Sequence, residues 1–135
     1  MKQSNIIVET SGTNDGEITF SSAKGIMVEQ DGLTTISYEE ASDDGGGIVK
    51  TSISIESERV TVRKSGDIIS EMCFVIGEKF SSRYVTPLGT FPMEIVTKGL
   101  RINKEETFSI CIDYLLTLGG VENNCSVKIE VTKGE

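Results

Sequence analysis

From Leu33 onward, apolar and polar side chains alternate with a period of two far more consistently than with the period of a helix. The longest alternating series comprises Phe108, Ile110, Ile112, Tyr114, Leu116 and Leu118. Turn signals separate the runs at short and even spacing, and Asp31-Gly32 is a candidate tight hairpin turn. The pattern therefore predicts about eight to ten antiparallel strands.

The predicted connections are mostly of hairpin length, and no helical stretch is available for a parallel βαβ crossover. Each strand has one apolar face, so the sheet must curl or divide into two packed layers to bury that face. Closure into a barrel also removes exposed strand edges. We predict one all-β domain over residues 1–135, an antiparallel meander closed into an up-and-down barrel, with a two-layer sandwich as the alternative.

Two irregularities interrupt the alternation. Gly25 lies within the second element, where it predicts a bulge or a bend. Leu115 is apolar on the otherwise polar face of residues 107–118. The strand there is expected to bend, to cross the barrel end or to meet another subunit, and a short helix over residues 112–118 is the alternative.

The residue types present exclude several kinds of chemistry. Histidine is absent, which removes imidazole bases, His-containing triads and His-ligated zinc. Cys73, Cys111 and Cys125 are an odd number without a C-x-x-C pair, which favours buried structural thiols over disulfides, a thiolate metal site or a reactive thiol. The acidic, glycine-rich residues 43–47 lack the oxygen spacing of a calcium loop and predict a hairpin turn. We expect neither a metal nor a cofactor.

The formal net charge is −8, from 21 acidic and 13 basic residues. Such a field repels phosphate backbones and anionic membranes, so neither nucleic acid nor a membrane is an expected partner. The apolar residues 6–8 are too few for an export signal, and the cysteine pattern suits a reducing compartment, so a cytoplasmic location is expected. No nucleophile with a recognisable base is present, so no enzymatic activity is expected.

The candidate site residues follow from side-chain parity, that is, from the alternation by which every second residue of a strand lies on the same face. Tyr38, Tyr84 and Tyr114 fall on the predicted inner face, where they either plug the barrel ends or line a small-ligand cavity. Glu40 shares the face of Tyr38 near a strand end, and is either solvated or orients a polar ligand group. Lys64 lies inward at the end of its own strand and is a candidate cation beside Glu40.

Several short segments resemble, in their order and spacing, the YwiB-like family of small bacterial proteins. They are Ser37-Tyr38-Glu39-Glu40, Lys50-Thr51-Ser52-Ile53, Val62-Arg63-Lys64-Ser65-Gly66, Met72-Cys73-Phe74 and Tyr84-Val85-Thr86-Pro87-Leu88-Gly89, followed by Met93, Thr97 and Leu100. The resemblance implies a calycin-like, lipocalin-like β-barrel. The family usually carries an aromatic residue at the position of Leu88. It has no established activity, so the resemblance supplies no catalytic residues.

Two functions stay open at this stage. The first is a barrel that binds a small apolar or amphipathic molecule in its interior. The second is a filled barrel that serves as a protein-interaction or oligomerising module, using exposed apolar positions such as Val85 and Leu115. A cavity of roughly 300 Å³ or more would favour the first function, and an interior packed with side chains the second.

Overall fold

The computed structural model describes residues 2–41, 47–104 and 108–134, and within these ranges the chain forms ten strands and no helix. The strands are β1 (Lys2–Asn14), β2 (Glu17–Gln30), β3 (Leu33–Ala41), β4 (Ile48–Glu56), β5 (Arg59–Gly66), β6 (Ser70–Phe74), β7 (Lys79–Thr86), β8 (Gly89–Lys104), β9 (Phe108–Leu118) and β10 (Val121–Lys133).

The strands form one antiparallel sheet in the order β6-β5-β4-β3-β2-β1-β10-β9-β8-β7, so β6 and β7 are its two edges. These edges meet at Ile69 and Val85, whose backbones exchange two hydrogen bonds with N···O distances of 2.9 Å. The Ser82 hydroxyl also donates to the Glu71 carbonyl oxygen across this seam, at 2.7 Å. The sheet therefore closes almost completely into an up-and-down barrel, which confirms the predicted architecture.

Aliphatic side chains from nearly every strand fill the barrel interior, as the alternation predicted. The most deeply buried are Ile36, Ile53, Ile55, Val60, Ile95, Ile110 and Ile112. Phe74 packs its ring against Tyr114 in an edge-to-face contact, with centroids 5.0 Å apart. Each such residue contributes on the order of 1.5–3 kcal/mol by burial, so this cluster is the main source of stability.

The two irregularities have different outcomes. β9 runs without interruption through Leu115, so the alternative helix over residues 112–118 is wrong. The pairing of β2 with β1 passes Gly25 without a change of register, so no bulge forms there. The register shift lies instead in β8, between Thr97 and Gly99. Gly25 is needed for close approach, because a Cβ atom there would lie 2.5 Å from the Ser37 carbonyl oxygen.

The predicted tight turn between β2 and β3 is confirmed. Asp31 and Gly32 both have positive φ, 51° and 81°, as a two-residue type I′ hairpin turn requires. Of the turn predicted over residues 43–47, residues 43–46 lie outside the described part of the chain.

Candidate functional site

The barrel wall opens where β2 and β3 separate. β2 pairs with β1 over residues 17–29, but β3 covers its other edge only over residues 25–30. Residues 17–24 therefore stay paired with β1 but have no pairing with β3 on their other edge. The opening leads into a cleft of about 1650 Å³, here called the mouth cleft, lined by residues 21–26 of β2 and by the neighbouring ends of β3 to β7.

Four polar side chains form a single row across the wall of the mouth cleft. Tyr38 of β3 lies opposite Thr51 of β4, Thr51 opposite Lys64 of β5, and Lys64 opposite Ser70 of β6. All four line the cleft. Directly opposed residues have Cβ atoms about 4.5–5.5 Å apart, so neighbouring members of the row can contact the same bound group.

Two hydroxyls of this row are buried without a hydrogen-bond partner. The side chain of Thr51 is 1% exposed and that of Ser70 is 6% exposed. Neither Thr51 Oγ1 nor Ser70 Oγ makes a hydrogen bond with a described residue. Leaving a buried hydroxyl unpaired costs about 1–3 kcal/mol, and buried polar groups normally have a protein, water or ligand partner. The wall of the cleft thus contains two buried hydroxyls that make no hydrogen bond with a described residue.

Tyr38 is a neutral phenol at physiological pH. Burial raises its pKa to about 12, and the negative charge of Glu40 acts in the same direction. The neighbouring hydroxyls of Thr10 and Thr51 act in the opposite direction and are outweighed. Tyr38 therefore keeps its proton at neutral pH, and its hydroxyl lies among the Thr10 and Thr51 hydroxyls and the Glu40 carboxylate.

Glu40 and Lys64 both line the mouth cleft, but no ion pair joins them. Glu40 is half-buried, next to the last residue of β3, and Lys64 is half-buried near the end of β5. Glu40 and Lys64 are two strands apart. Lys64 lies level with Tyr38, and Glu40 is two residues beyond Tyr38 along β3, nearer the rim. The distance between neighbouring strands and the rise per residue along a strand place the Cα atoms of Glu40 and Lys64 about 12 Å apart. This separation explains why the two side chains form no salt bridge.

Basic side chains outnumber acidic ones in the lining of the mouth cleft, five to three. They are Lys24, Lys50, Arg63, Lys64 and Arg83, against Glu39, Glu40 and Glu71. Lys50 pairs with Glu39 at 3.9 Å. Arg63 pairs with Glu71 at 3.0 Å. No described residue forms an ion pair with Lys24, Lys64 or Arg83. Lys64 is the basic residue that shares the inward face of Tyr38 and Thr51, whereas Lys24, Lys50, Arg63 and Arg83 hold outward-facing positions around the cleft.

The other two predicted site residues lie apart from the lining of the cleft. Tyr84 packs against the core cluster. Tyr114 lies against Phe74, and burial together with the neighbouring Cys125 raises the pKa of Tyr114 well above its ordinary value. Thr51 and Ser70, which line the cleft, were not among the predicted site residues. The parity of Thr51 with Ile53 marked it as inward-facing, but short hydroxyl side chains carry no signal of their own.

We expect the stability of the protein to fall between pH 10 and pH 12, in part through Tyr38. Its pKa is raised from 10 to about 12 in the folded state, so the unfolded chain loses this proton first as the pH rises. The stabilisation at stake is about 3 kcal/mol at most. Urea titrations across this range should give a shallower decline for Tyr38→Phe than for the wild type. Equal slopes would contradict a buried, neutral phenol.

The fold and the opening at its mouth define a small all-β protein, a nearly closed antiparallel barrel of ten strands. The chain belongs to the family described as domain of unknown function DUF1934, whose model matches residues 4–129. It is similar to the ywiB protein from Bacillus subtilis, whose crystal structure gives a TM-score of 0.87 at 22% identity and covers 98% of this chain and 94% of that chain. This likeness shows a shared fold, and together with the family match it confirms the resemblance to the YwiB-like family. No curated protein matches the chain.

Two further observations concern only the described residues. None of them belongs to a helix long and apolar enough to cross a membrane. No three Cys, Asp or Glu side chains among them are grouped so that they could hold a metal ion.

Proposed function

We propose that this protein is a non-catalytic, cytoplasmic binder of a small amphipathic molecule, which it holds in the mouth cleft. The observation that carries the proposal is the cleft itself. It offers about 1650 Å³ of open space, enough for a small molecule. The barrel interior is packed with aliphatic side chains, so the predicted ligand site in the interior is wrong, and the proposed ligand lies in the mouth instead.

The chemistry of the lining supports an amphipathic ligand. Ala23, Ile69 and Val85 supply apolar surface, and Ile69 is 54% exposed beside the seam. The polar row supplies hydrogen-bond donors, and Glu40 supplies an acceptor nearer the rim. Apolar walls with a few placed polar groups are typical of small-molecule sites.

The alternative function, an interaction or oligomerising module, has weaker support at the positions predicted for it. Val85 and Leu115 are both half-buried, and the backbone of Val85 is already paired with Ile69 in the seam. Ile18 and Phe20 are more exposed than either, and they lie on the part of β2 that does not pair with β3.

Native mass spectrometry of the protein purified from its own host tests both functions, because it reports bound mass and stoichiometry together. We expect a monomer carrying a molecule of a few hundred daltons. Ser21→Trp should abolish that mass, since Ser21 lines the cleft on a part of β2 that does not pair with β3. Ser81→Trp is the matched control, because Ser81 is exposed on β7 and lies outside the lining. An oligomer without bound mass would favour the alternative.

A further inference from the structure

Of the five basic residues that line the mouth cleft, Lys64 is the one at an inward-facing position of the wall, level with Thr51 and Ser70. The other four, Lys24, Lys50, Arg63 and Arg83, hold the alternate, outward-facing positions of their strands. Two of the five basic groups are neutralised by exposed ion pairs at the rim. Lys24, Lys64 and Arg83 form no ion pair with a described residue. Of these three, Lys64 lies in the polar row.

Lys64 lies between two unpaired hydroxyls. Thr51 is its cross-strand neighbour on one side and Ser70 is its neighbour on the other. Both hydroxyls are more than nine-tenths buried, line the cleft and lack a hydrogen-bond partner among the described residues. An ammonium group flanked by two hydroxyls offers up to five hydrogen-bond donors to one group, and such a set suits an anion with several acceptor oxygens.

We propose that Thr51, Lys64 and Ser70, here called the Lys64 row, bind the anionic head group of the ligand, a carboxylate or a phosphate. The inference rests on the proposed function and adds the chemical class of the molecule. The bound anion satisfies both buried hydroxyls and pairs the charge of Lys64, and Tyr38 donates a further hydrogen bond from the next position of the row.

The surroundings of the Lys64 row fit an anion that carries an apolar tail. Ile69 directly precedes Ser70 in the chain and pairs with Val85 across the seam, so apolar surface begins next to the proposed head-group site. Glu40 is the acidic group of the cleft without an ion pair, and the separation of about 12 Å between its Cα atom and that of Lys64 leaves room for the anion.

Isothermal titration calorimetry at low salt, with protein stripped of bound molecules, tests the inference with four probes. Decanoate and decyl phosphate carry the two candidate head groups, and 1-decanol and decyltrimethylammonium carry the same tail without a negative charge. We expect at least one of the two anions to bind tenfold or more tightly than decanol and the cation. The tighter of the two anions identifies the head group.

Lys64→Gln should weaken binding of the preferred anion about tenfold, and Lys64→Arg should restore most of it. Lys128→Gln is the matched charge control, because Lys128 lies outside the cleft and pairs with Glu130 at 3.0 Å. It should change the affinity less than twofold.

Thr51→Val separates a binding role from a structural one. Removing an unpaired buried hydroxyl without changing the shape of the side chain should leave stability equal or higher. The same change should weaken anion binding several-fold. A structural hydroxyl would give the opposite pattern, with lower stability and unchanged affinity.

The outcomes distinguish the inference from the proposed function. If decanol binds as tightly as the anions, or if Lys64→Gln leaves the anion affinity unchanged in a folded protein, the anionic head group is wrong and ligand binding stands. If no probe binds and native mass spectrometry finds no bound molecule, both proposals fail.

Discussion

Phe74→Ala is expected to lower the free energy of unfolding by about 3–5 kcal/mol, as for other buried aromatic residues. The Phe74 side chain is 2% exposed and ends β6, a strand of only five residues at the seam of the barrel. Its ring lies against Tyr114, and its cross-strand neighbour Val60 is fully buried. Truncation of Phe74 to alanine leaves a cavity beside a short strand at the seam, where few neighbouring side chains can move in to fill it.

Urea unfolding followed by far-UV circular dichroism measures this effect, since the chain has no tryptophan to report by fluorescence. Phe20→Ala is the matched control, because Phe20 is 67% exposed on β2. A change within about 0.5 kcal/mol is expected there, as at other surface positions. If the two variants had equal stability, β6 would not be part of the cooperative core.

Gly25→Ala is expected to destabilise the fold by about 1–3 kcal/mol, the usual cost of overpacking. The added Cβ atom would lie 2.5 Å from the Ser37 carbonyl oxygen and 3.1 Å from the Cβ atom of Tyr38. The first of these neighbours is backbone, so relief requires β2 and β3 to move apart. Gly25 and Tyr38 are the last pair before these strands separate, and the change should therefore widen the mouth.

Gly99→Ala is the matched control for this prediction. Gly99 also lies within a strand, and its added Cβ atom would meet mainly the side chain of Asp113, at 3.3 Å, which can move. Thermal unfolding should show a clear loss for Gly25→Ala and a smaller one for Gly99→Ala. The reverse order would mean that β2 and β3 do not approach closely at Gly25.

The incomplete pairing of β2 with β3 produces both the mouth cleft and its polar lining. Because β2 pairs with β3 only from Gly25 onward, residues 17–24 of β2 leave a cleft beside Tyr38, Thr51 and Ser70, which line it. The hydroxyl oxygens of Thr51 and Ser70 are buried in the wall that borders the cleft. A barrel that paired these strands along their full length would close this opening.

The alternation of apolar and polar residues determined the strands and the face on which each side chain lies. Parity placed Tyr38, Glu40 and Lys64 on the inner face, and the structure puts all three at one cleft. The hairpin at Asp31-Gly32 was also local information, because only residues tolerant of positive φ suit that turn. These properties depend on neighbours one or two positions away in the chain, so the sequence carries them directly.

The height of each side chain along the barrel was decided only by the tertiary structure. A period of two specifies the face of a strand but not its register against the next strand. The register between strands places Lys64 between Thr51 and Ser70. Tyr114 faces inward like Tyr38, but its position along the barrel places it in the core beside Phe74. The separation of β2 from β3 also depends on contacts that are distant in the chain, namely which strands pair and over how many residues. This separation opens the cleft.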